Sequence, residues 1–223
     1  MDTDNTRLIA GLTLVCLILL FTIVGAYWTP YDPLQIDLSN RFALPSSSHL
    51  LGTDRYGRDE FSRLFRGSSN SVLVGFISVG IGASLGMLLG VVAAMGNSLT
   101  DEVLSRVMDA IYALPAILLA LLITSVFGPG IRNSMIAIGI FNVPIFGRLS
   151  RASVLTIKEK EYVIAARSVG VSKTRLIWRY LIPNSASVLL IQASNSFARA
   201  LLAEAGLSYL GLGTQAPHPS WGR

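Results

Sequence analysis

Apolar runs long enough to cross a bilayer recur along this 223-residue chain, separated by short segments rich in charge or in turn-forming residues. The first runs from Leu8 to Tyr27 behind Arg7 and holds twelve Leu, Ile, Val and Phe residues. A helix needs about 20 such residues to span a hydrocarbon core. Their summed preference for the membrane is roughly 4–7 kcal/mol. The run also exceeds the roughly 7–15 apolar residues of a cleaved signal peptide, so it is read as an uncleaved span. Tyr27, Trp28 and Tyr31 then mark its far interface. Four further spans follow, giving expected boundaries of 8–28, 71–95, 107–127, 133–149 and 185–203. With 52% hydrophobic and 14% charged residues the chain is too apolar for a soluble domain of this size. The expected fold is all-α: a polytopic transmembrane helical bundle in a single domain, 1–223, with the lipid bilayer as solvent.

The formal net charge of +5 does not point to nucleic acid, because the cations cluster between apolar spans without interleaved aromatics. The segment 150–184 and its approach carry Arg148, Arg151, Lys158, Lys160, Arg167, Lys173, Arg175 and Arg179 against Glu159 and Glu161. Lys and Arg near span ends are retained in the cytoplasm. That orientation puts the N-terminus in the cytoplasm, the segment 29–70 outside with its five arginines balanced by five acids, and the tail from Glu204 outside. Chemistry has little to work with. Cys16 is the only cysteine and lies inside the first run, and His49 and His218 are far apart. There is no HExxH, no carboxylate pair within the spans and no phosphate-binding Gly-Lys-Ser/Thr loop. The expectation is no enzyme, no catalytic residue, no metal and no cofactor in this chain.

Several features inside the spans carry structural expectations. Ser78, Gly82, Gly86, Gly90 and Ala94 repeat every four residues, a small-residue stripe for close helix approach within one subunit or between two. Pro115 is expected to kink the third span, Arg106 and Asp109 to pair at i, i+3, and Asn142 and Pro144 to interrupt the fourth span. The fifth span holds seven strongly apolar residues, and Arg199 opposes insertion by about 2.5–3.5 kcal/mol if central. Gln192, Asn195 and Arg199 share one face of it, either lining a translocation path or bonding between helices with Arg199 reaching outward. Before the second span, Phe61, Leu64 and Phe65 mark a short interfacial helix.

The loop between the fourth and fifth spans reads as two short helices around a glycine. Tyr162 to Ser168 forms the first, with Ala165 and Ala166 as a shallow face; Gly170 makes the turn; Ser172 caps the second. Leu176, Ile177, Tyr180 and Leu181 share one side of that second helix, and Pro183 ends it.

Ala165-Ala166, Gly170 and Leu181-Ile182-Pro183 resemble the EAA loop of ABC-importer permeases, the segment that inserts into the ATP-hydrolysing subunit. The loop's acidic residue is replaced by Ile164, and Glu161 stands one turn earlier. Leu51-Gly52-Thr53-Asp54, Gly57-Arg58-Asp59 and Ser62-Arg63-Leu64 before the second span resemble permeases of the dipeptide, oligopeptide and nickel importer type. So do Leu207-Ser208-Tyr209-Leu210-Gly211-Leu212-Gly213 and Pro219-Ser220-Trp221-Gly222 at the end. The three stretches occur in family order over nearly the whole chain. The resemblance implies a second homologous permease subunit, two cytoplasmic ATP-binding subunits and an external substrate-binding protein. It also implies alternating access driven through a coupling loop of Glu161, Ala165, Ala166, Arg167, Gly170, Lys173, Arg175 and Pro183. The implied cargo is peptides, or nickel chelates and other small solutes. In that family a sixth span follows, so the expectation is either a truncated, non-transporting product or a permease that works with five spans.

Overall fold

The computed structural model describes residues 2–222, so the terminal Arg223 lies outside the described residues. The elements are α1 (Asp2–Tyr27), α2 (Glu60–Met95), α3 (Ser98–Tyr112), α4 (Ala116–Phe127), α5 (Ile131–Ile157), α6 (Glu161–Ser168), α7 (Lys173–Leu176), a π-helical turn (Ile177–Leu181) and α8 (Ile182–Tyr209). Among the described residues no strand occurs, and the fold is an all-α bundle. Three helical runs have the length and apolarity to cross a membrane: 5–27, 60–95 and 173–209. The pair α3–α4 makes a fourth if counted as one bent span. The 27-residue α5 is long enough but more polar, and 13 of its residues are buried. One end of the bundle, the head, is closed by residues 28–59 and 210–222; the other, the foot, carries α6 and α7.

The centre of the bundle is the contact of α2 with α5. The small stripe faces inward: Ser78, Gly82, Gly86, Gly90 and Ala94 are all buried. A Cβ at Gly82 would lie 2.3 Å from the Asn142 Cβ, one at Gly86 2.5 Å from the Val143 carbonyl oxygen, and one at Gly90 2.3 Å from the Gly147 carbonyl oxygen. The two backbones therefore meet with no side chain between them, within this one chain. Ser78 Oγ donates to the Met135 carbonyl (3.0 Å) and Ser150 Oγ to that of Met87 (3.4 Å), bracketing the glycines with hydrogen bonds.

Several expected breaks are placed differently. Pro144 does not interrupt α5, which runs unbroken through it. Pro144 is buried, and the Asn142 amide donates to the Ile138 carbonyl at 2.9 Å, so polar groups near the proline are satisfied locally. Pro115 does more than kink the third span: α3 and α4 meet at 85°. Asp109 pairs with Arg148 of α5 (2.9 Å) rather than with Arg106, which approaches Glu102 at 3.9 Å. The Arg148 guanidinium also lies 4.5 Å above the Tyr112 ring, so the partner across the helix interface wins over the neighbour on the same helix.

The short helix of Phe61, Leu64 and Phe65 is the first two turns of α2 itself. At 36 residues α2 extends about 54 Å, well beyond a ~30 Å hydrocarbon core. Its start is fixed by Asp59, whose side chain accepts from the Ser62 amide (2.8 Å) and hydroxyl (2.7 Å) and meets His49 Nδ1 at 2.9 Å. Just before it, Asp54 accepts from the Tyr56 and Arg58 amides and from the Arg58 guanidinium at 2.7 Å. The Leu51–Leu64 signature is thus a self-satisfying turn that ends in a helix cap. The mostly exposed α1 is fastened to the bundle at the head. There Phe21 meets Phe65 (3.7 Å between ring centroids), and Arg66 Nη1 donates to the Ala26 carbonyl at 2.6 Å.

The α2–α5 contact predicts a sharp contrast between two glycines on the same helix. Gly86→Ala inserts a methyl into occupied space and should cost about 1–3 kcal/mol. Gly80→Ala, where nothing lies within 4 Å, should be neutral or stabilise by up to about 1 kcal/mol. Unfolding of the purified chain in detergent checks both; a Gly86→Ala protein as stable as Gly80→Ala would rule out the close contact.

Candidate coupling loop and membrane pathway

The loop at the foot is built from its own backbone. After α5 the chain turns at Lys158, and α6 follows without a side-chain cap at Lys160. The helix ends in a Schellman motif: the Val171 amide donates to the Ala166 carbonyl (3.1 Å) and the Gly170 amide to that of Arg167 (3.0 Å). Gly170 has φ +83, and a Cβ there would meet nothing within 4 Å, so backbone conformation alone favours glycine. Ser172 occupies the cap position of α7 with no side-chain cap bond.

The two alanines do not share a face. Ala165 is exposed, whereas Ala166 turns inward with Val163. Those two join Val91, Ala94, Val154, Ile157, Leu176 and Leu181 in one buried cluster that ties the loop to α2, α5 and the start of the last helical run. Ile177 and Tyr180 pack against that cluster, as the sequence spacing predicts. Pro183 does not end this helix. The π-helical turn ahead of it, closed by the Ile182 amide on the Ile177 carbonyl, shifts the hydrogen-bond register, and one helical run continues from Lys173 to Tyr209. Pro183 is exposed at the start of α8, where it opens the helix.

The outer surface of the loop is basic and partly apolar. Glu161, Ala165, Arg167, Gly170, Lys173 and Arg175 are exposed, together with Ile164 and Val169. Lys158, Arg167 and Lys173 border an open cleft of about 520 Å³ that also holds Ile164. Beneath the loop, Arg151 forms a two-pronged contact with Asp101 of α3 (2.5 Å on each arm), and Lys158 Nζ reaches the Ala94 carbonyl at 3.4 Å. The hydrogen bond from Arg151 holds the Asp101 carboxyl below its ordinary 3.8. Partial burial opposes this, and the charges of Arg151 and Lys158 add to it.

On α8, Gln192 donates to Ser196 Oγ (3.0 Å), and Arg199 Nη2 lies 3.5 Å from the same hydroxyl; Asn195 is exposed. Arg199 lines a cavity of about 190 Å³ with Asn142 of α5 and with Ala116 and Ile117, where α4 begins after the bend. Gln192 and Asn195 are not among its lining residues. The structure therefore brings together Arg199, the broken span and Asn142, and leaves the other two polar residues along the same helix.

The tail does not begin at Glu204. Helix α8 continues to Tyr209, and Glu204 is only 1% exposed. Its carboxylate accepts from the hydroxyls of Ser208 (2.6 Å), Thr214 (3.0 Å) and Ser71 (3.5 Å). Sequence reasoning missed this cluster; the signal was Glu204 placed four residues before Ser208 in the last turns of α8.

Residues 86–223 match the family model described as binding-protein-dependent transport system inner membrane component. The chain belongs to that family. It is an inner-membrane permease of ABC importers, and its place is the membrane. The dipeptide transport system permease protein DppC of Alkalihalophilus pseudofirmus is 39% identical over 219 residues, 98% of this chain and 72% of that protein. DdpC of Escherichia coli, a permease named for D,D-dipeptide transport, is 36% identical over 96% of this chain and 72% of its own length. The fold is similar to that of a chain of the methionine ABC transporter MetNI, a structure described as inward facing, with TM-score 0.60 and 18% identity over 67% of this chain and 74% of that one.

For this permease the Asp101–Arg151 pair gives an acid-side signature. Because the folded carboxyl titrates below 3.8, its stabilisation is complete above that value and is lost as pH falls through the lowered one. Asp101→Asn should therefore cost about 0.2–1 kcal/mol, uniformly from about pH 8 to about pH 5. The difference from wild type should close only below pH 3.8. Thermal midpoints of the two proteins across pH check this, and a gap that closes near neutrality would reject the pair as the cause.

Proposed function

We propose that this chain is a permease subunit of an ATP-driven peptide importer. It forms the pathway with a homologous permease, receives substrate from an external binding protein and is driven by two cytoplasmic ATPases that use ATP and Mg. The observation that carries the coupling reading is the foot. A helix–glycine–helix presents exposed cations and two exposed apolar side chains, while its inner face sits on the buried cluster shared by α2, α5 and the last helical run. Such a loop cannot be displaced without pulling on those spans. Peptide cargo is supported by relatives named for dipeptide and D,D-dipeptide transport that align with nearly the whole chain. The basic loop supports an orientation with the foot and the N-terminus in the cytoplasm.

Seating in a partner groove requires Ala165 to be small and Gly170 to keep its turn. Ala165→Trp and Gly170→Val should each lower binding-protein-stimulated ATP hydrolysis about tenfold or more at unchanged permease level. Undiminished stimulated hydrolysis and ATPase co-purification in both would defeat the docking assignment. A cysteine at Val169 should label only from the inner side of sealed vesicles; labelling from outside intact cells would reverse the topology.

For the pathway, Arg199→Leu should reduce peptide uptake about tenfold or more while the complex still assembles. Gln192→Leu, remote from the cavity, should have the smaller effect. Normal uptake by the Arg199 variant at wild-type abundance would mean that Arg199 serves helix packing instead.

A further inference from the structure

The head contains a buried carboxylate that neither the coupling loop nor the pathway uses. Glu204 sits in the last turns of α8 and takes part in none of the described ion pairs. Three hydroxyls from three places in the chain point at it: Ser71 of α2, Ser208 of α8 and Thr214 of the closing segment. Two of these hydroxyls in turn hold backbone of that segment. The Thr214 amide donates to Ser208 Oγ at 2.9 Å and the Trp221 amide to Ser71 Oγ at 3.1 Å. Around this centre the segment is close-packed. A Cβ on Gly222 would lie 2.3 Å from the Ala205 Cα, and Asn70 Nδ2 donates to the Pro219 carbonyl at 2.8 Å. The segment also reaches the start of α5, where the Gly130 amide donates to the Leu212 carbonyl at 3.1 Å.

We propose that Glu204 is a positioning residue that latches the closing segment 210–222 to α2 and α8, so that a protein pressing on the head moves α8 as well as the loop. The chemistry explains the choice of residue. A carboxylate offers acceptor sites only, so every hydroxyl must turn its proton inward and leave its own lone pairs for the amides of Thr214 and Trp221. A single acidic side chain thereby orders both hydroxyls and, through them, the segment. The latch lies on the same helix as Arg199, five residues further along. The functional part of this inference, transmission from a docked binding protein to the pathway, rests on the permease reading given above.

The latch is tested on the full chain in lipid nanodiscs by amide hydrogen exchange. Glu204→Ala should speed exchange at Thr214 and Trp221 by about fivefold or more, roughly what one lost hydrogen bond is worth, while amides at the α2–α5 contact stay unchanged. Glu204→Gln keeps an acceptor oxygen for Ser208 and Thr214 but turns an NH2 toward Ser71, so it should stay near wild type at Thr214 and exchange faster at Trp221. Wild-type exchange at both amides in Glu204→Ala overturns the latch. Should that variant fail to accumulate, Thr214→Val removes a hydroxyl that binds Glu204 without removing the acceptor of either amide, and the exchange criterion at residue 214 decides. In the assembled transporter, Glu204→Ala should raise the binding-protein concentration for half-maximal ATP hydrolysis about fivefold or more, with basal hydrolysis retained. Fast exchange with an unaltered half-maximal concentration would reduce Glu204 to a structural role and overturn the positioning claim. A wild-type complex with no stimulated hydrolysis would instead count against the proposed function, and exchange would still decide whether the latch exists.

Discussion

The backbone contact of α2 with α5 is the constraint on which the rest of the bundle depends. Lipid tails are as apolar as leucine, so helices in a membrane gain little from hiding apolar side chains from each other. What holds them is close packing and hydrogen bonding, and both improve as backbones approach. Gly82, Gly86 and Gly90 supply that approach along one face of α2, and Asn142, Val143 and Gly147 meet them on α5. Gly147 then serves a second neighbour, since a Cβ there would lie 2.3 Å from the Met108 sulfur of α3. One set of small residues therefore fixes three helices, and α8 packs across both α2 and α5.

Because the central pair is fixed, disruption is displaced to its edges. Pro144 lies buried against the rigid contact and α5 continues through it, whereas Pro115 is exposed at the junction where α3 and α4 meet at 85°. The same residue type thus has two outcomes, and the difference is the packing around it rather than its own geometry. Ion pairs follow the same rule. Asp101 and Asp109 of α3 both find arginines of α5, fastening the amphipathic α3 where the bend leaves it without a long apolar contact.

What could be read from the sequence was whatever depends on period and composition. The apolar runs, the four-residue stripe, the glycine turn at Gly170 and the buried side formed by Leu176 and Leu181 are local patterns with one physical solution each. What could not be read depends on which neighbour arrives. Ala166 looks the same as Ala165 in a list of small residues, yet only one faces the bundle. Asp109 had a partner on its own helix and a better one across the interface. Glu204 read as the first polar residue of a tail, because nothing local announces that Ser71 and Thr214, 133 and 10 residues away, converge on it.

The two ends of the molecule are joined to its centre by different means, and this bears on how a movement would pass through it. At the foot the connection is apolar: Val163, Ala166, Leu176 and Leu181 slot between α2 and α5, a contact that tolerates small rotations because it has no directional bonds. At the head the connection is polar and directional, through hydroxyls and amides gathered on one carboxylate, and it yields only by breaking. Both attach to the single helical run from Lys173 to Tyr209. That run carries a π-helical turn near the foot, where its register is already loosened, and none near the head. Rotation entering at the foot therefore has a place to be absorbed or passed on, whereas the head presents a stiff end. A bundle built this way is adjustable at the foot and stiff at the head.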